Sequence, residues 1–354
     1  MLILGIETSC DDTSVAVLRA DGDSLEVLSN VVSSQIKQHA PYGGVVPLLA
    51  AREHEKNLPV VLDEALSTAH SSLSAIDLIA VTSGPGLIMS LVKGVNYAKE
   101  LAQKNNKPLI GINHIEGHIY SNWLLPIAEN SKHKIRNPKI EFPALCLIVS
   151  GGHTELVLMH DHGNHELVGR TVDDASGEAF DKIARLIGLE YPGGPAISAE
   201  AEKFKANEAS AAISLPRPMM HSKNFSFSFS GLKTSVLYLV RDLQVPLESV
   251  RAEIAHEAQE AIVDVLISKT KKAAEQYQPK SILLAGGVSA NKLLRSRLQE
   301  LCSMLHVSCF IPPMQYTTDN AAMIAAASYS RTKGSRLQDL GFGVVEPNAN
   351  WEIV

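Results

Sequence analysis

The sequence predicts an α/β protein of two related lobes. Hydrophobic residues make up 45% of the 354 residues, but aromatic residues only 5%. Apolar content of this kind, mostly Ala, Val, Leu and Ile, favours helices layered on sheets over an aromatic-rich β-sandwich. Segments typical of strands and helices also alternate along both halves. A chain of this length corresponds to about two domains of ~150 residues each.

A repeated pattern is the strongest sign of a duplication. Residues 2–18 read as strand, polar turn and strand, and residues 144–160 repeat that order. Each segment is an apolar run, then Ser, Thr, Gly or acidic residues, then alternating apolar residues, as in a β-hairpin. The repeat predicts a duplicated domain with the two polar turns facing each other across a cleft. Two unrelated hairpins would give the same pattern.

Further elements follow from local periodicity and from Gly and Pro positions. Buried strands are predicted at 76–83, 108–112 and 281–285, and helices at 89–103, 251–277, from about 291, and at 317–332. Residues 47–69 have a helical period that Pro59 interrupts. Thr317 and Asp319 stand in capping positions before the last helix. Alternation of Phe and Ser at 225–230 predicts a strand.

Composition excludes several classes of protein. A net charge of −6 is not that of a protein that coats nucleic acid nonspecifically. The four cysteines include no CxxC pair, so reduced thiols and a cytoplasmic location are expected. The N-terminal residues lack the basic start of a secretory signal, and no apolar run is long enough to span a membrane.

The segment His114-Ile115-Glu116-Gly117-His118 follows a predicted strand and is the first candidate site. If it is helical, the i,i+4 spacing places both imidazoles on one face, where they can share a metal ion. Glu116 is two residues after His114, about 200° around the helix, so the HExxH protease arrangement does not apply. Asp319 is the best candidate for a third ligand. Taken alone, two capped or surface histidines and an N-capping Asp319 explain these residues equally well.

Two glycine-rich turns and one acidic segment are candidate nucleotide-binding elements. The turn at Ser150-Gly151-Gly152 exposes N–H groups that suit a phosphate, although a plain hairpin turn needs the same residues. Gly286, Gly287 and Asn291 follow a buried strand and suit a ribose or a ring, or a simple helix start. The segment 173–182 carries four carboxylates, for a ribose or a metal-bound phosphate, or for a helix N-terminus.

Basic and aromatic residues form two further groups. The basic positions suited to phosphate contacts are Lys132, Lys134, Arg136, Lys139, Arg217, His221, Lys223 and Lys233. Phe225, Phe227 and Phe229 are expected in the core rather than on a stacking surface.

Eight motifs together resemble one family. They are ETSCDDT at 7–13, HIEGH at 114–118, VSGGHTEL at 149–156, DDASGEAFDK at 173–182, YPGGP at 191–195, FSFSGLKT at 227–234, AGGVSAN at 285–291 and TDN at 318–320. In this order, and over almost the whole chain, they resemble the TsaD family of tRNA threonylcarbamoyltransferases. One departure is Asp12, where many bacterial members have Glu.

The resemblance implies a duplicated actin/sugar-kinase-like (ASKHA) fold, with two lobes around a nucleotide cleft. It implies transfer of the threonylcarbamoyl group of threonylcarbamoyl-AMP to N6 of adenosine at position 37 of tRNAs that read ANN codons. It places a divalent metal, usually Fe²⁺ with Zn²⁺ as an alternative, on His114, His118 and Asp319. The adenylate site is implied at Ile148, Val149, Ser150, Gly151, Gly152, Asp181, Gly194 and Asn291.

Lobes and partners follow from the same resemblance. The expected lobes are residues 1–125, with the metal motif, and residues 140–335, with the adenylate site. Residues 336–354 are expected to form a tail that packs back on the first lobe. Expected partners are the tRNA anticodon loop, TsaB and TsaE, with TsaC supplying the adenylate, although mitochondrial relatives act alone as homodimers.

Asp11 is the candidate base or orienting group for the attacking amine, and Glu7 is the second candidate. The acyl donor is already activated, so positioning and electrostatics are expected to matter more than a covalent nucleophile. Three other functions remain open at this point: a phosphotransferase of the same fold class, a metalloprotease, and a non-catalytic scaffold.

Overall fold

The computed structural model describes residues 1–127, 137–204, 213–333 and 345–354. Lys132, Lys134 and Arg136 of the predicted basic group, and part of the predicted tail, lie outside these ranges. The chain divides into two compact units. Unit 1 contains Met1–Lys139, His162–His165 and Pro312–Val354, and unit 2 contains Ile140–Asp161 and Glu166–Ile311.

Unit 1 has a five-stranded mixed sheet in the order β3-β2-β1-β4-β5. Its strands are β1 (Leu2–Glu7), β2 (Asp12–Asp21), β3 (Ser24–Ser34), β4 (Leu78–Gly84) and β5 (Leu109–Asn113). β1 is antiparallel to β2 and parallel to β4, and β4 is parallel to β5. The helices assigned to this unit are α1 (Ile36–His39), α2 (Pro47–Thr68), α3 (Ile88–Asn105), α4 (His114–Tyr120) and α10 (Ala321–Thr332).

Unit 2 repeats this arrangement. Its strands are β6 (Ala144–Val149), β7 (Thr154–Asp161), β8 (Asn164–Arg170), β9 (Ser281–Ala285) and β10 (Ser308–Phe310), in the order β10-β9-β6-β7-β8, although the first two residues of β8 are grouped with unit 1. Its helices are α5 (Ser176–Leu186), α6 (Gly193–Ala201), α7 (Ser230–Arg241), α8 (Leu247–Tyr277) and α9 (Lys292–Leu305). The first strand is again antiparallel to the second and parallel to the fourth. The duplication predicted from the two hairpins is therefore confirmed.

The sheet of unit 1 is covered on both faces, which explains why β1 is an almost continuous apolar run. Leu4 and Ile6 pack with residues of α2 and α3 in one cluster. The alternate residue Gly5 faces α10, and a Cβ there would collide with the backbone carbonyl of Ala321. Glycine at position 5 thus lets α10 lie directly on the strand.

The position of α10 corrects the predicted lobe boundary. This helix contacts β1, β2, β3 and α4, all within unit 1. The second lobe expected at 140–335 therefore differs from the compact unit, because α10 and Asp319 group with the N-terminal sheet. The predicted lobes follow sequence order, whereas the compact units group α10 with the N-terminal sheet.

Two local predictions also differ from the structure. α2 continues through Pro59 without interruption, since Leu58, Val61 and Leu62 are buried on the sheet and offset the local cost of proline. The Phe-Ser segment forms only one isolated bridge, between Phe227 and Thr171, instead of a strand. Its three Phe side chains are nonetheless buried in the core of unit 2, as predicted.

Candidate functional site

The histidine motif forms the short helix α4, which begins directly after β5. Asn113 caps it, its Oδ1 accepting from the N–H groups of Ile115 at 2.9 Å and Glu116 at 3.3 Å. Every residue of α4 is buried. The alternative of two surface histidines is therefore excluded.

Asp319 is held one residue before the N-cap of α10. The cap itself is Asn320, whose Oδ1 accepts from Met323 N at 3.1 Å. The first two N–H groups of α10 donate to side chains of the sheet. Ala321 N donates to Ser14 Oγ of β2 at 2.9 Å, and Ala322 N donates to Asn30 Oδ1 of β3 at 3.2 Å. Because Asn320 caps the helix, the carboxylate of Asp319 is not needed for that role.

His114, His118 and Asp319 converge within unit 1. Asp319 Oδ1 lies 3.2 Å from His118 Nε2 and 3.5 Å from His114 Nε2, and the two imidazole rings are nearly perpendicular at 79°. One ligand atom from each residue lies within 4.8 Å of the others. Two imidazole nitrogens and one carboxylate oxygen are a donor set for Fe²⁺ or Zn²⁺ that leaves positions for a substrate.

The state of His118 supports a metal at this point. The side chain is fully buried, and within the described ranges neither ring nitrogen has a hydrogen bond of acceptable geometry. Burial and the neighbouring His114 lower the pKa of His118, which keeps the imidazole neutral as ligation requires. A buried polar atom without a partner is costly, and a metal ion would satisfy Nε2.

Glu7 orients His114. Its Oε2 lies 3.1 Å from His114 Nδ1, which leaves Nε2 directed at Asp319. Thr82 Oγ1 donates to the same oxygen, and Ser9 N donates to the other at 2.5 Å. A carboxylate behind a ligating histidine fixes the tautomer and raises the basicity of the ligand. The geometry thus gives Glu7 a supporting contact to a candidate ligand.

The contact between Glu7 and His114 shifts the pKa of both side chains. Burial alone raises the pKa of Glu7, but the charge and hydrogen bond of His114 outweigh it and lower the pKa overall. Burial lowers the pKa of His114, but Glu7 and Asp319 outweigh it and raise the pKa to about 9. Ligation needs a neutral imidazole, so uptake of an ion displaces this proton.

Glu116 turns away from the two histidines. Its Oε2 accepts from Arg331 Nε at 2.7 Å and Nη2 at 2.6 Å, on the α10 side of the helix. A carboxylate engaged in this pair is not a base for water on the same metal. The structure therefore agrees with the sequence argument against the HExxH protease arrangement.

Asp11 lies in the turn between β1 and β2. The buried side chain of His54 supports this turn. His54 Nε2 lies 3.0 Å from the carbonyl oxygen of Cys10, and its Nδ1 lies 2.8 Å from Thr13 Oγ1. The carbonyl oxygen of Asp11 accepts from Gln35 N at 3.0 Å. Burial and the charge of Asp319 raise the pKa of Asp11. The turn is thus fixed while the Asp11 side chain stays partly exposed.

In unit 2, the candidate phosphate turn follows β6. Ile148 and Val149 are buried in that strand, whereas Gly151 and Gly152 are exposed, with space for a Cβ at both. Ser150 N is already bound to the His153 carbonyl oxygen at 2.8 Å. The exposed N–H groups of the two glycines are therefore the candidate donors to an anion.

Asp181 lies on α5 and supports the start of α6. Its Oδ1 accepts from Gly193 N at 2.7 Å. A Cβ on Gly193 would come within 2.5 Å of the Asp181 Cα, so the two helices need glycine there. Gly194 has open space around the Cβ position, which is compatible with the approach of a ligand.

Asn291 is engaged within the protein. Its Oδ1 caps α9 by accepting from Leu294 N at 3.0 Å, and its Nδ2 donates to Ser198 Oγ at 3.0 Å and Gln259 Oε1 at 2.8 Å. Gly286 has φ +88°, and a Cβ there would meet the carbonyl oxygen of Val149. Close backbone packing therefore explains this glycine without a ligand.

Four more of the predicted binding residues have partners within unit 2. They are Asp173, Asp174 and Glu178 of the acidic segment, and Arg217 of the basic group. Asp173 accepts from Phe229 N at 2.8 Å and Ser230 N at 3.2 Å, which caps α7. Asp174 and Glu178 both pair with Lys182. Arg217 pairs with Glu257 and Asp264, so it is engaged in ion pairs.

Comparison with known proteins decides the family. The family model described as TsaD, tRNA N6-adenosine threonylcarbamoyltransferase, matches residues 26–326. A curated protein of that name from Thermosipho melanesiensis is 48% identical over 99% of this chain and 100% of its own length. Another, from Thermosipho africanus, is 49% identical over 94% and 95%.

The chain belongs to the TsaD family.

Members of the TsaD family are acyltransferases by name, and the fold agrees with the expected class. The solved structure of T. kodakarensis HypF superimposes with a TM-score of 0.60 over 96% of this chain and 49% of that one, at 14% identity. This likeness shows the fold alone, which is the actin/sugar-kinase-like fold. None of the helices in the described ranges has both the length and the apolar character to cross a membrane.

Sequence reasoning missed residues that support the candidate metal site. Thr82 lies in an apolar strand and Arg331 lies near the end of a helix, and no local sequence pattern distinguishes either residue. Glu7 was noted, but its contact with His114 spans 107 positions and depends on the pairing of β1 with β4 and β4 with β5.

Proposed function

We propose that the chain transfers the threonylcarbamoyl group from threonylcarbamoyl-AMP to N6 of adenosine 37 in tRNAs that read ANN codons. Family membership supports the reaction class. The observation that carries the proposal is the convergence of the buried His114 and His118 with the half-buried Asp319. The reaction joins a weak aromatic amine to an already activated mixed anhydride, so it needs binding and charge stabilisation more than a covalent nucleophile.

The first role is that of the metal ligands. His114, His118 and Asp319 would hold one divalent ion, Fe²⁺ or Zn²⁺, which when bound supplies a Lewis acid for oxygen atoms of the donor. Glu7 holds His114 by its Nδ1, so that Nε2 stays available. Asn320 caps α10 and leaves the Asp319 carboxylate for ligation.

The second role is that of the adenylate-binding residues. Ile148, Val149 and the N–H groups of Gly151 and Gly152 would bind the adenylate, together with Asp181 in the middle of α5 and Gly194 in the first turn of α6. The hydrogen bonds of Asn291 give it a supporting part, since it joins α6, α8 and α9. Asp11 would accept a proton from the attacking amine or orient it, because burial favours proton uptake by this carboxylate.

The tRNA and the partner proteins complete the proposal. The anticodon loop is single-stranded, so adenosine 37 can leave its stack at modest cost. TsaB and TsaE are the proposed protein partners, and TsaC the proposed source of the adenylate. The proposed location is the cytoplasm, where the tRNA substrate is found.

The test combines metal analysis with transfer to tRNA. The purified chain is assayed with unmodified tRNA, threonine, bicarbonate, ATP, TsaC and the other partners, before and after chelation. Chelation and His118→Ala are expected to abolish transfer, and Fe²⁺ or Zn²⁺ to restore it only in the chelated wild type. His160→Ala removes an exposed histidine and serves as the matched control. Absence of modified tRNA with the loaded wild type and every partner would contradict the proposal.

A phosphotransferase is the alternative with the same fold. It would work with Mg²⁺ after Fe²⁺ and Zn²⁺ are removed, and it would not need His114 and His118. ATP-dependent phosphorylation by a chelated, Mg²⁺-supplied chain would favour that alternative. Normal transfer by Asp11→Asn would reject the role of Asp11 while leaving the acyltransferase intact.

A further inference from the structure

The ion pair between Glu116 and Arg331 joins the two helices that supply the metal ligands. We propose that this pair, with Trp351, positions the metal centre by fixing α4 relative to α10. α4 carries His114 and His118, and α10 begins two residues after Asp319. This inference rests on the metal centre proposed above and adds positioning residues to it.

The pair is tight and joins a buried carboxylate to an arginine that remains partly open to water. Glu116 is fully buried, and its Oε2 accepts from both Nε and Nη2 of Arg331, at 2.7 and 2.6 Å. Among the described residues its Oε1 has no hydrogen-bond partner. Burial of a carboxylate is costly, and its attraction to a partly exposed arginine offsets that cost only in part. Its cost at this position is therefore better explained by fixing a geometry than by stabilising the fold.

The helices are also in close contact beside the pair. A Cβ on Gly117 would lie 2.7 Å from Ile324 Cδ1 and 3.2 Å from Met323 Cγ. Glu116 lies about 200° around α4 from His114, so the face that binds Arg331 is opposite the face that offers the ligands. The supporting contacts of α4 thus leave the ligand side free.

A second set of contacts closes a loop through the C-terminal segment. The Arg331 guanidinium lies 5.7 Å from the centre of the Trp351 ring. The backbone oxygen of Trp351 accepts from Asn113 Nδ2 at 3.0 Å, and Asn113 Oδ1 caps α4. α4 is therefore held at two points. Glu116, in its middle, binds Arg331, and Asn113, its N-cap, binds Trp351, which lies next to Arg331.

The length of α10 explains how a contact near its end can affect the position of Asp319, just before its start. Arg331 lies ten residues after Ala321, the first residue of α10, which is about 15 Å along the helix. A tilt of α10 by about 1° over that length moves one end by ~0.3 Å. Metal–ligand distances tolerate only about 0.2 Å. A tilt of this size on loss of the pair would therefore disturb ligation at the other end of α10.

The test measures Zn²⁺ affinity of the metal-free chain by competition with a chromophoric chelator. Glu116→Met and Arg331→Met are each expected to weaken binding about tenfold, in the range typical for residues that support metal ligands. Because the two act as a unit, the double variant should lose no more than either single variant. Glu116→Gln keeps an acceptor for Arg331 and should stay within about threefold of the wild type.

Two controls separate positioning from folding. Lys333→Met removes an ion pair of the same helix end, to Asp23, that does not involve α4, and it should leave Zn²⁺ affinity unchanged. Thermal unfolding of each metal-free variant confirms that binding is measured on folded protein.

The outcomes are distinct. Wild-type affinity in both Glu116→Met and Arg331→Met, or losses that multiply in the double variant, would overturn the inference and leave the proposed function standing. If the wild type binds no Zn²⁺, or His118→Ala binds as tightly as the wild type, the metal centre is overturned and the inference falls with it.

Discussion

Gly5→Ala should separate α10 from the sheet and weaken metal binding at Asp319, which lies outside contact with the substituted residue. The new methyl group would collide with the Ala321 backbone carbonyl and would lie 3.2 Å from Ala325 Cβ. Backbone atoms have no other rotamer, so α10 must move by an amount on the order of 1 Å to reach ordinary contact distance. That is several times the ~0.2 Å that metal ligation tolerates.

Overpacking against backbone places the expected cost in stability near the upper end of the usual range, about 3 kcal/mol. For a unit of this size, such a loss lowers the apparent Tm by about 6–12 °C. Zn²⁺ affinity should fall at least tenfold, because Asp319 moves with α10, whereas α4, which carries His114 and His118, continues directly from β5 and is held by the sheet.

Calorimetry of the metal-free chain and Zn²⁺ competition measure the two effects. Gly44→Ala is the matched control, since a Cβ at Gly44 has no heavy atom within 4 Å. An unchanged Tm together with wild-type Zn²⁺ affinity in Gly5→Ala would refute the reasoning. A lower Tm with unchanged affinity would show that α4 follows α10 as a rigid pair.

Three more predictions follow from single contacts. Glu7→Gln should lower metal affinity about 10–100-fold, because His114 loses the carboxylate at Nδ1, and equilibrium dialysis would show this; unchanged affinity would remove Glu7 from the centre. Asn291→Ala should lower the free energy of unfolding by about 1–2 kcal/mol through the lost cap of α9, measured by urea denaturation, and no loss would reject the capping role. Although burial raises the pKa of Asp173, hydrogen bonds to Ser228, Phe229 and Ser230 lower it overall, so its contribution to stability is present above the unfolded pKa and is lost as the pH falls through the folded one. Asp173→Asn should therefore flatten the acid side of a Tm–pH profile, and an unchanged slope would contradict this.

Strand patterns predicted much of the architecture, because they depend on neighbours in sequence. The two hairpins and the strand Ser281–Ala285 are where the apolar runs place them. The membership of α10 in unit 1 was not predictable in this way. It follows from Gly5, Ser14 and Asn30, which meet the helix across about 300 positions of the chain.

The metal motif shows the same division between local and distant information. The spacing of His114 and His118 predicted a shared face, and the helix α4 confirms it. For Asp319, the sequence could not decide between ligand and cap, because Thr317, Asp319 and Asn320 are all capping residue types. The structure assigns the cap to Asn320, which accepts from Met323 N, and so keeps Asp319 as the candidate ligand. In the acidic segment, local charge density suggested a ligand, whereas Asp173 caps a helix more than fifty residues further on.

The two tryptophans of the chain both border α4. The ring of Trp123 lies 4.9 Å from that of Tyr120, the last residue of the helix, and Trp351 binds the residue that caps its start. Indole emission responds to the polarity and mobility of its surroundings. Intrinsic fluorescence of the unlabelled protein therefore reports on the conformation of α4. Rapid-mixing measurements of this signal can follow ion uptake in real time with no probe attached.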